Sequence, residues 1–299
     1  NMKLFIKKIF VFLAILLLMM CPIFLLFVNH QSNLFSSYKI KSEVAIIYLG
    51  DSHIQNAVND RLIPKSMNLG KDSESFYFTY FKLKMLLANN SSIKHIYLGL
   101  SHNSLSNYYD RFISGDYSSI IGSRYFHILP TVERFKIIFW SRSNLLILLR
   151  GIIEEGLEMV YYKNKPSIMY GFTNPFEGTK AVKSSMDKRI LFQYYKNEEL
   201  NPFSEINIRY LEKIINLCKT KGIALTALNS PVHDYYFNLV PDKYKRKLDE
   251  IVRENDLKFI DLSNLNLNDE YFIPDGDHVS FSGSIKTSVE LLKIINKNN

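Results

Sequence analysis

From Ile9 to Val28 the chain carries no charged side chain and almost nothing polar. Twenty such residues in a helix span roughly 30 Å, the thickness of a bilayer's hydrocarbon core. Lys3, Lys7 and Lys8 precede the run, and no further Lys or Arg follows until Lys39. That asymmetry puts the N-terminus in the cytoplasm and everything after Val28 outside. A cleaved signal peptide would carry a shorter apolar core ending in a small-x-small site, and Val28-Asn29-His30-Gln31 offers none. The expectation is a retained, single-pass anchor in the cell membrane. Residues 1–28 form the cytoplasmic tip and anchor, 29–42 a polar linker, and 43–299 an extracytoplasmic domain.

That domain is long enough for a sizeable core. Its formal charge of +8 is spread over 37 basic and 29 acidic residues, without a basic stripe, so a nucleic-acid partner is not expected. Only two cysteines are present, Cys21 and Cys218, and the first lies inside the apolar run. No disulfide framework follows. Met19 and Met20 before Cys21 also lack the small side chains of a lipidation signal.

Short apolar runs recur along the domain. Val44 to Leu49 is continuous, β-branched and closed by Gly50, as in a strand buried on both faces of a parallel sheet. Similar runs cover 93–100, 223–228 and 257–262, with a weaker one at 66–69. Helical spacing fills 75–88, 205–221, 241–255 and 282–296, and Lys221-Gly222 provides a helix stop. Strands alternating with helices indicate βαβ units, hence a parallel sheet with helices on both sides. Residues 104–203 break the alternation and read as a large, mostly helical insertion. Its apolar helix, Thr131 to Arg150 and on toward Val160, is expected to pack in the core.

Gly50-Asp51-Ser52-His53 ends the first strand. In open α/β sheets, ligands sit at the carboxyl ends of the strands. A serine there opens a helix whose N–H groups and dipole favour a developing oxyanion. Near the far end stands Pro274-Asp275-Gly276-Asp277-His278. Asp275, three residues before His278, can fix the imidazole tautomer and leave the other nitrogen to take a serine proton. A calcium-like reading of Asp275 and Asp277 lacks further oxygen ligands at regular spacing. Neither a metal nor another cofactor is expected.

Together the two blocks resemble those of the SGNH/GDSL hydrolase superfamily, as in a divergent, membrane-anchored bacterial member. The resemblance implies a three-layer, flavodoxin-like fold with Ser52, His278 and Asp275 as the triad. It also implies an oxyanion hole from the Ser52 N–H, a glycine after the second strand and an asparagine after the third. Gly70 in Asn68-Leu69-Gly70 matches the glycine. The asparagine position falls on Ser101 in Leu98-Gly99-Leu100-Ser101-His102-Asn103, leaving Ser101, His102 or Asn103 as the third donor. The Gly-x-Ser-x-Gly elbow of α/β-hydrolases is absent. His53 and His233 are candidate substrate contacts, and Tyr235 or Tyr236 could meet a sugar ring. The function this implies is a serine esterase or O-acyltransferase acting on acyl esters, acetyl foremost, of a cell-surface glycan or small ester, with a membrane-bound acyl donor as a possible partner. The alternative is a non-catalytic accessory protein of the same fold, binding a glycan or a membrane-bound modification partner.

Overall fold

The computed structural model describes residues 2–161 and 166–297. Five parallel strands form the sheet: β1 (Ile46–Leu49), β2 (Ser66–Asn68), β3 (His95–Gly99), β6 (Ala224–Asn229) and β7 (Lys258–Asp261). Their spatial order is β2-β1-β3-β6-β7. Counting only these strands, that is the flavodoxin-like order 2-1-3-4-5, whose switch point lies between the first and third strands. A two-residue hairpin, β4 (Tyr195–Lys196) with β5 (Glu199–Leu200), stands apart.

Each strand is sandwiched because its side chains alternate between two apolar layers. Ile47, Leu49, Ile96 and Leu98 face the larger core, shared with α3 (Phe76–Asn89) and α9 (Glu205–Lys221). Tyr48, Tyr97 and Leu228 face the smaller one, closed by Ile54 of α2 (Ser52–Ala57) and by Leu291 and Ile295 of α12 (Phe281–Lys297). The result is a three-layer α/β fold with a parallel sheet between two helical layers. Ser75 occupies the N-cap of α3, and Gly222 ends α9 in the left-handed region at φ 65°. These boundaries lie within a residue or two of those the apolar periodicity indicates.

The insertion contributes α4 (Asp110–Ile113), α5 (Ser118–Tyr125), α6 (Thr131–Trp140), α7 (Leu145–Tyr161) and α8 (Lys183–Tyr194). The single helix expected from Thr131 onward is two, broken by a 3-10 turn at Arg142–Asn144. Its expected core role holds for one face only. Leu148, Ile152 and Met159 are fully buried, while Phe139 is 63% and Leu146 83% exposed. Helices α10 (Asp234–Leu239) and α11 (Asp242–Glu254) follow β6.

The N-terminal helix α1 runs from Met2 to Ser36 and is long and apolar enough to cross a membrane. It continues through the first eight residues of the expected linker. Val28, Gln31 and Phe35 are buried against the domain, and the Phe35 ring packs at a tilt on His127 with centroids 5.0 Å apart. The physical reason is the spacing by three and four of Val28, Gln31 and Phe35, which places them on one helical face toward the domain. Cys21 and Cys218 are both free.

Beneath the β2–α3 connection lies a fully buried Lys82–Glu74 ion pair. Lys82 Nζ also donates to Leu69 O at 2.6 Å, while Tyr125 and Thr79 donate to the Glu74 carboxylate. Removing one partner strands the other charge in the core. Lys82→Met is expected to lower stability by about 3–5 kcal/mol in denaturant titration. Glu74→Leu added to it should recover part of that loss. A single variant as stable as the parent would show that the pair is not the anchor of this loop.

Candidate active site

At the carboxyl end of β1 the chain turns sharply at Gly50, whose φ of 143° disfavours other residues. A Cβ there would also lie 2.9 Å from Ile54 Cγ1. Asp51 then caps α2, its Oδ1 accepting from His53 N at 3.0 Å. Ser52 is thereby the first helical residue, facing the rim of the sheet.

The Asp275–His278 turn arrives at the same rim from β7 by way of a long loop. Asp275 Oδ1 accepts from the backbone N–H groups of Asp277 (3.0 Å) and His278 (3.1 Å), which fixes the carboxylate. Gly276 adopts φ 62°, and a Cβ there would meet Met186 Sδ at 2.3 Å. From behind, His233 N donates to Gly276 O at 2.8 Å.

Ser52 Oγ lies 2.7 Å from His278 Nε2, and His278 Nδ1 lies 2.8 Å from Asp275 Oδ2. Burial pushes the Asp275 carboxyl up, but the charge and hydrogen bond of His278 outweigh it, and the group sits below the ordinary carboxylate value. An ionised Asp275 accepts the Nδ1 proton. Nε2 is then the free acceptor to which the serine hydroxyl donates. Serine, imidazole and carboxylate thus form a continuous hydrogen-bonded chain.

A second imidazole joins the two loops. His53 is 4% exposed and stacks on His278, with ring centroids 4.6 Å apart and planes 15° from parallel. Its Nδ1 faces Asp51 at 3.1 Å and its Nε2 faces Asp277 Oδ1 at 2.8 Å. Burial opposes a charge on this ring, but Asp277 and Asp51 prevail and raise its pKa well above 6.5. For Asp277, burial is likewise outweighed by His53 and Arg189, and its pKa falls well below the usual carboxylate range. Arg189 Nε (2.8 Å) and Gln193 Nε2 (2.7 Å), both from α8, donate to the other Asp277 oxygen. The Tyr109 hydroxyl donates to Asp51, and the Tyr236 hydroxyl to Gln193. His53 is therefore a doubly clamped imidazolium between the nucleophile loop and the histidine loop.

These three side chains open into a cavity of about 730 Å³. One wall is Gln55 and Asn56 of α2; most of the rest is insertion, including Tyr108, Tyr109, Phe112, Phe172 to Phe176 and Arg189. Asn174 Nδ2 ties this wall to both motif loops, donating to Asn56 O (2.9 Å) and Val279 O (3.0 Å).

Several expected contacts fall elsewhere. The buried, bridging His53 is no cavity residue. His233 is a helix cap, accepting from Tyr235 N through Nδ1, with its Nε2 2.8 Å from Asp269. Tyr235 donates to Asp187, and Tyr236 is buried against Gln193. The Gly70 N–H donates to Asn68 Oδ1 at 2.8 Å, so it is engaged within its own loop. Ser101 and Asn103 are buried and hydrogen-bonded to each other, and His102, its pKa pushed down to about 4 by burial, packs against Phe237. None of Gly70, Ser101, His102 and Asn103 lines the cavity. A cluster of potential metal ligands does occur, but it comprises His53, Asp277 and His278 rather than Asp275 and Asp277. A cation there would have to displace the His53–Asp277 or Ser52–His278 hydrogen bond.

No family model and no curated protein matches the chain. Solved structures do resemble it. A GDSL-like lipase from Bacteroides thetaiotaomicron is 8% identical, with 87% of this chain and 91% of that chain covered and a TM-score of 0.39. A protein provisionally described as a platelet activating factor from Streptococcus pneumonia is 11% identical over 94% and 98%, with a TM-score of 0.43. A provisionally assigned acylhydrolase from Bacteroides fragilis is 12% identical over 90% and 94%, with a TM-score of 0.39. At these scores the likenesses carry no functional argument, and the fold stands on its strand order.

The His53 bridge has a pH signature. A pKa raised on folding contributes fully below the unfolded value near 6.5 and is lost as pH rises through the folded value. Asp51 and Asp277, both lowered, contribute above about 3.9 and lose that contribution on acidification. The bridge should be strongest between about pH 4 and 6.5. His53→Gln is expected to destabilise the detergent-solubilised chain by about 3–5 kcal/mol in that window and by less at alkaline pH. A pH-independent difference in thermal unfolding would contradict a charged bridge.

Proposed function

We propose that this chain is an extracytoplasmic serine esterase or O-acyltransferase, held to the membrane by α1 and acting on acyl esters, acetyl foremost, of a cell-surface glycan. The observation that carries the reading is the 2.7 Å approach of Ser52 Oγ to His278 Nε2, with Asp275 on the other imidazole nitrogen. In this reading Ser52 Oγ attacks the ester carbonyl carbon while its proton passes to His278 Nε2. The tetrahedral oxyanion forms at the start of α2, where the Ser52 N–H is a donor. Collapse expels the alcohol oxygen, which takes the proton from His278 and leaves an acyl-Ser52. Water or a sugar hydroxyl then attacks, giving its proton to His278. The acid or new ester departs as Ser52 recovers the proton. Asp275 holds the tautomer and offsets the imidazolium charge.

The aromatic walls Tyr108, Phe112, Phe172 and Phe176 suit the apolar faces of sugar rings, and the cavity volume suits one or two of them. The lysines in the first turns of α1, ahead of its apolar run, support a cytoplasmic N-terminus. A membrane-bound acyl donor is the natural source of acyl groups if transfer predominates. One observation favours the second reading, a non-catalytic accessory protein that binds the same glycan. The Gly70 N–H is taken by Asn68 Oδ1, and neither Ser101 nor Asn103 lines the cavity, so the oxyanion site has a single evident donor.

Hydrolysis of p-nitrophenyl acetate by the full chain separates these readings. Asp275→Asn should lower kcat by roughly 10⁴ and Ser52→Ala by at least that much. Equal rates for the parent and Ser52→Ala would end the enzyme reading.

A further inference from the structure

Among the described residues beyond α1, eight large apolar side chains are more than half exposed. Seven lie on α6 and α7: Val132, Phe135, Phe139, Leu146, Leu157, Val160 and Tyr161. On α7 they belong to a stripe at 146, 149, 153, 157 and 160, spaced by three and four and so on one helical face. Leu148, Ile152, Gly156 and Met159 form the buried face. The helix is thus apolar on two sides, with Glu154 and Glu158 between them, and only one side is satisfied by the protein. On α6, Val132, Phe135 and Phe139 repeat the pattern.

The position of this face identifies its occupant. Gly156 packs on the last turns of the bilayer-length stretch: a Cβ there would lie 2.6 Å from Phe27 Cζ and 3.0 Å from Gln31 Cγ. Arg134 of α6 donates to Ser32 Oγ at 2.7 Å. Both helices therefore meet α1 at the C-terminal end of its bilayer-length stretch. Exposed Arg142 lies over the Phe139 ring at 4.7 Å, and Arg150 on α7 is paired with Glu154 at 2.7 Å. An amphipathic element with an open apolar face, held at the bilayer surface, is built for the headgroup–acyl boundary.

We infer that α6 and α7 form a second, in-plane membrane contact, a collar beside the anchor that seats the domain on the lipid surface. The inference rests on α1 being a membrane anchor, and the test separates the two.

The full chain is placed in phosphatidylcholine–phosphatidylglycerol nanodiscs, with and without acyl-brominated phosphatidylcholine. Trp140→Phe removes the single tryptophan, and Phe139→Trp, Leu157→Trp, Phe12→Trp or Arg253→Trp restores one reporter at a time. Reporters at 12, 139 and 157 are expected to lose about half or more of their emission to bromolipid, and the one on solvated α11 almost none. Quenching at 12 but not at 139 and 157 overturns the collar and spares the anchor. No quenching at 12 overturns both. Reporters at 139 and 157 shielded from iodide yet unquenched by bromolipid mean that protein covers the face, which also sinks the proposal. The unsubstituted chain gives a parallel readout: a lipid-borne photoactivated carbene should label peptides from 131–161, and their absence among labelled peptides counts against the collar.

Discussion

The site depends on one buried cation. Ser52 and His278 stand 226 positions apart, and each sits on a loop bearing a carboxylate that faces the other. Asp51 and Asp277 would repel across that gap if nothing lay between them. His53 fills it, giving one N–H to each carboxylate and laying its ring on that of His278. The residue after Ser52 is thus the part that joins the Ser52 loop to the His278 loop. Its charge is stabilised because it has two anions, and the anions are stabilised because Arg189, Gln193 and Tyr109 complete their hydrogen bonds.

This arrangement makes the insertion part of the site rather than an appendage. Helix α8 supplies Arg189 and Gln193 to Asp277, and the 3-10 turn before α4 supplies Tyr109 to Asp51. Asn174 fastens the cavity wall to both motif loops. The same insertion sends α6 and α7 to the end of α1, so one segment links the cavity to the apolar N-terminal helix. Loss of the insertion would open the cavity and strip Asp277 of two of its partners.

Much of this was legible in the sequence where local physics decides. A continuous run ended by glycine marks β1, shorter apolar runs mark β3 and β6, and apolar spacing marks α3, α9 and α12 within a residue or two. The Gly-Asp-Ser and Asp-x-x-His blocks mark the two loops that meet. What escaped was set by tertiary partners. His53 reads as a substrate contact because nothing near it in sequence shows Asp277 behind it. His233 reads as a pocket residue, but its own backbone geometry makes it a cap. Tyr109, Arg189 and Asn174 carry no spacing signal at all. Gly70 matches a motif position, yet the Asn68 side chain two residues earlier takes its N–H. The α6–α7 stripe reads as core because periodicity reveals an apolar face without revealing what covers it.

The most direct test is to treat the full chain with a fluorophosphonate and map the adduct by mass spectrometry. A serine hydroxyl activated by an imidazole–carboxylate couple should give one covalent adduct, on Ser52, with labelling strongly slowed by His278→Ala. An unmodified Ser52 at reagent concentrations that label ordinary serine esterases would contradict the account. The protein would then be an α/β scaffold whose three aligned side chains do not make a nucleophile.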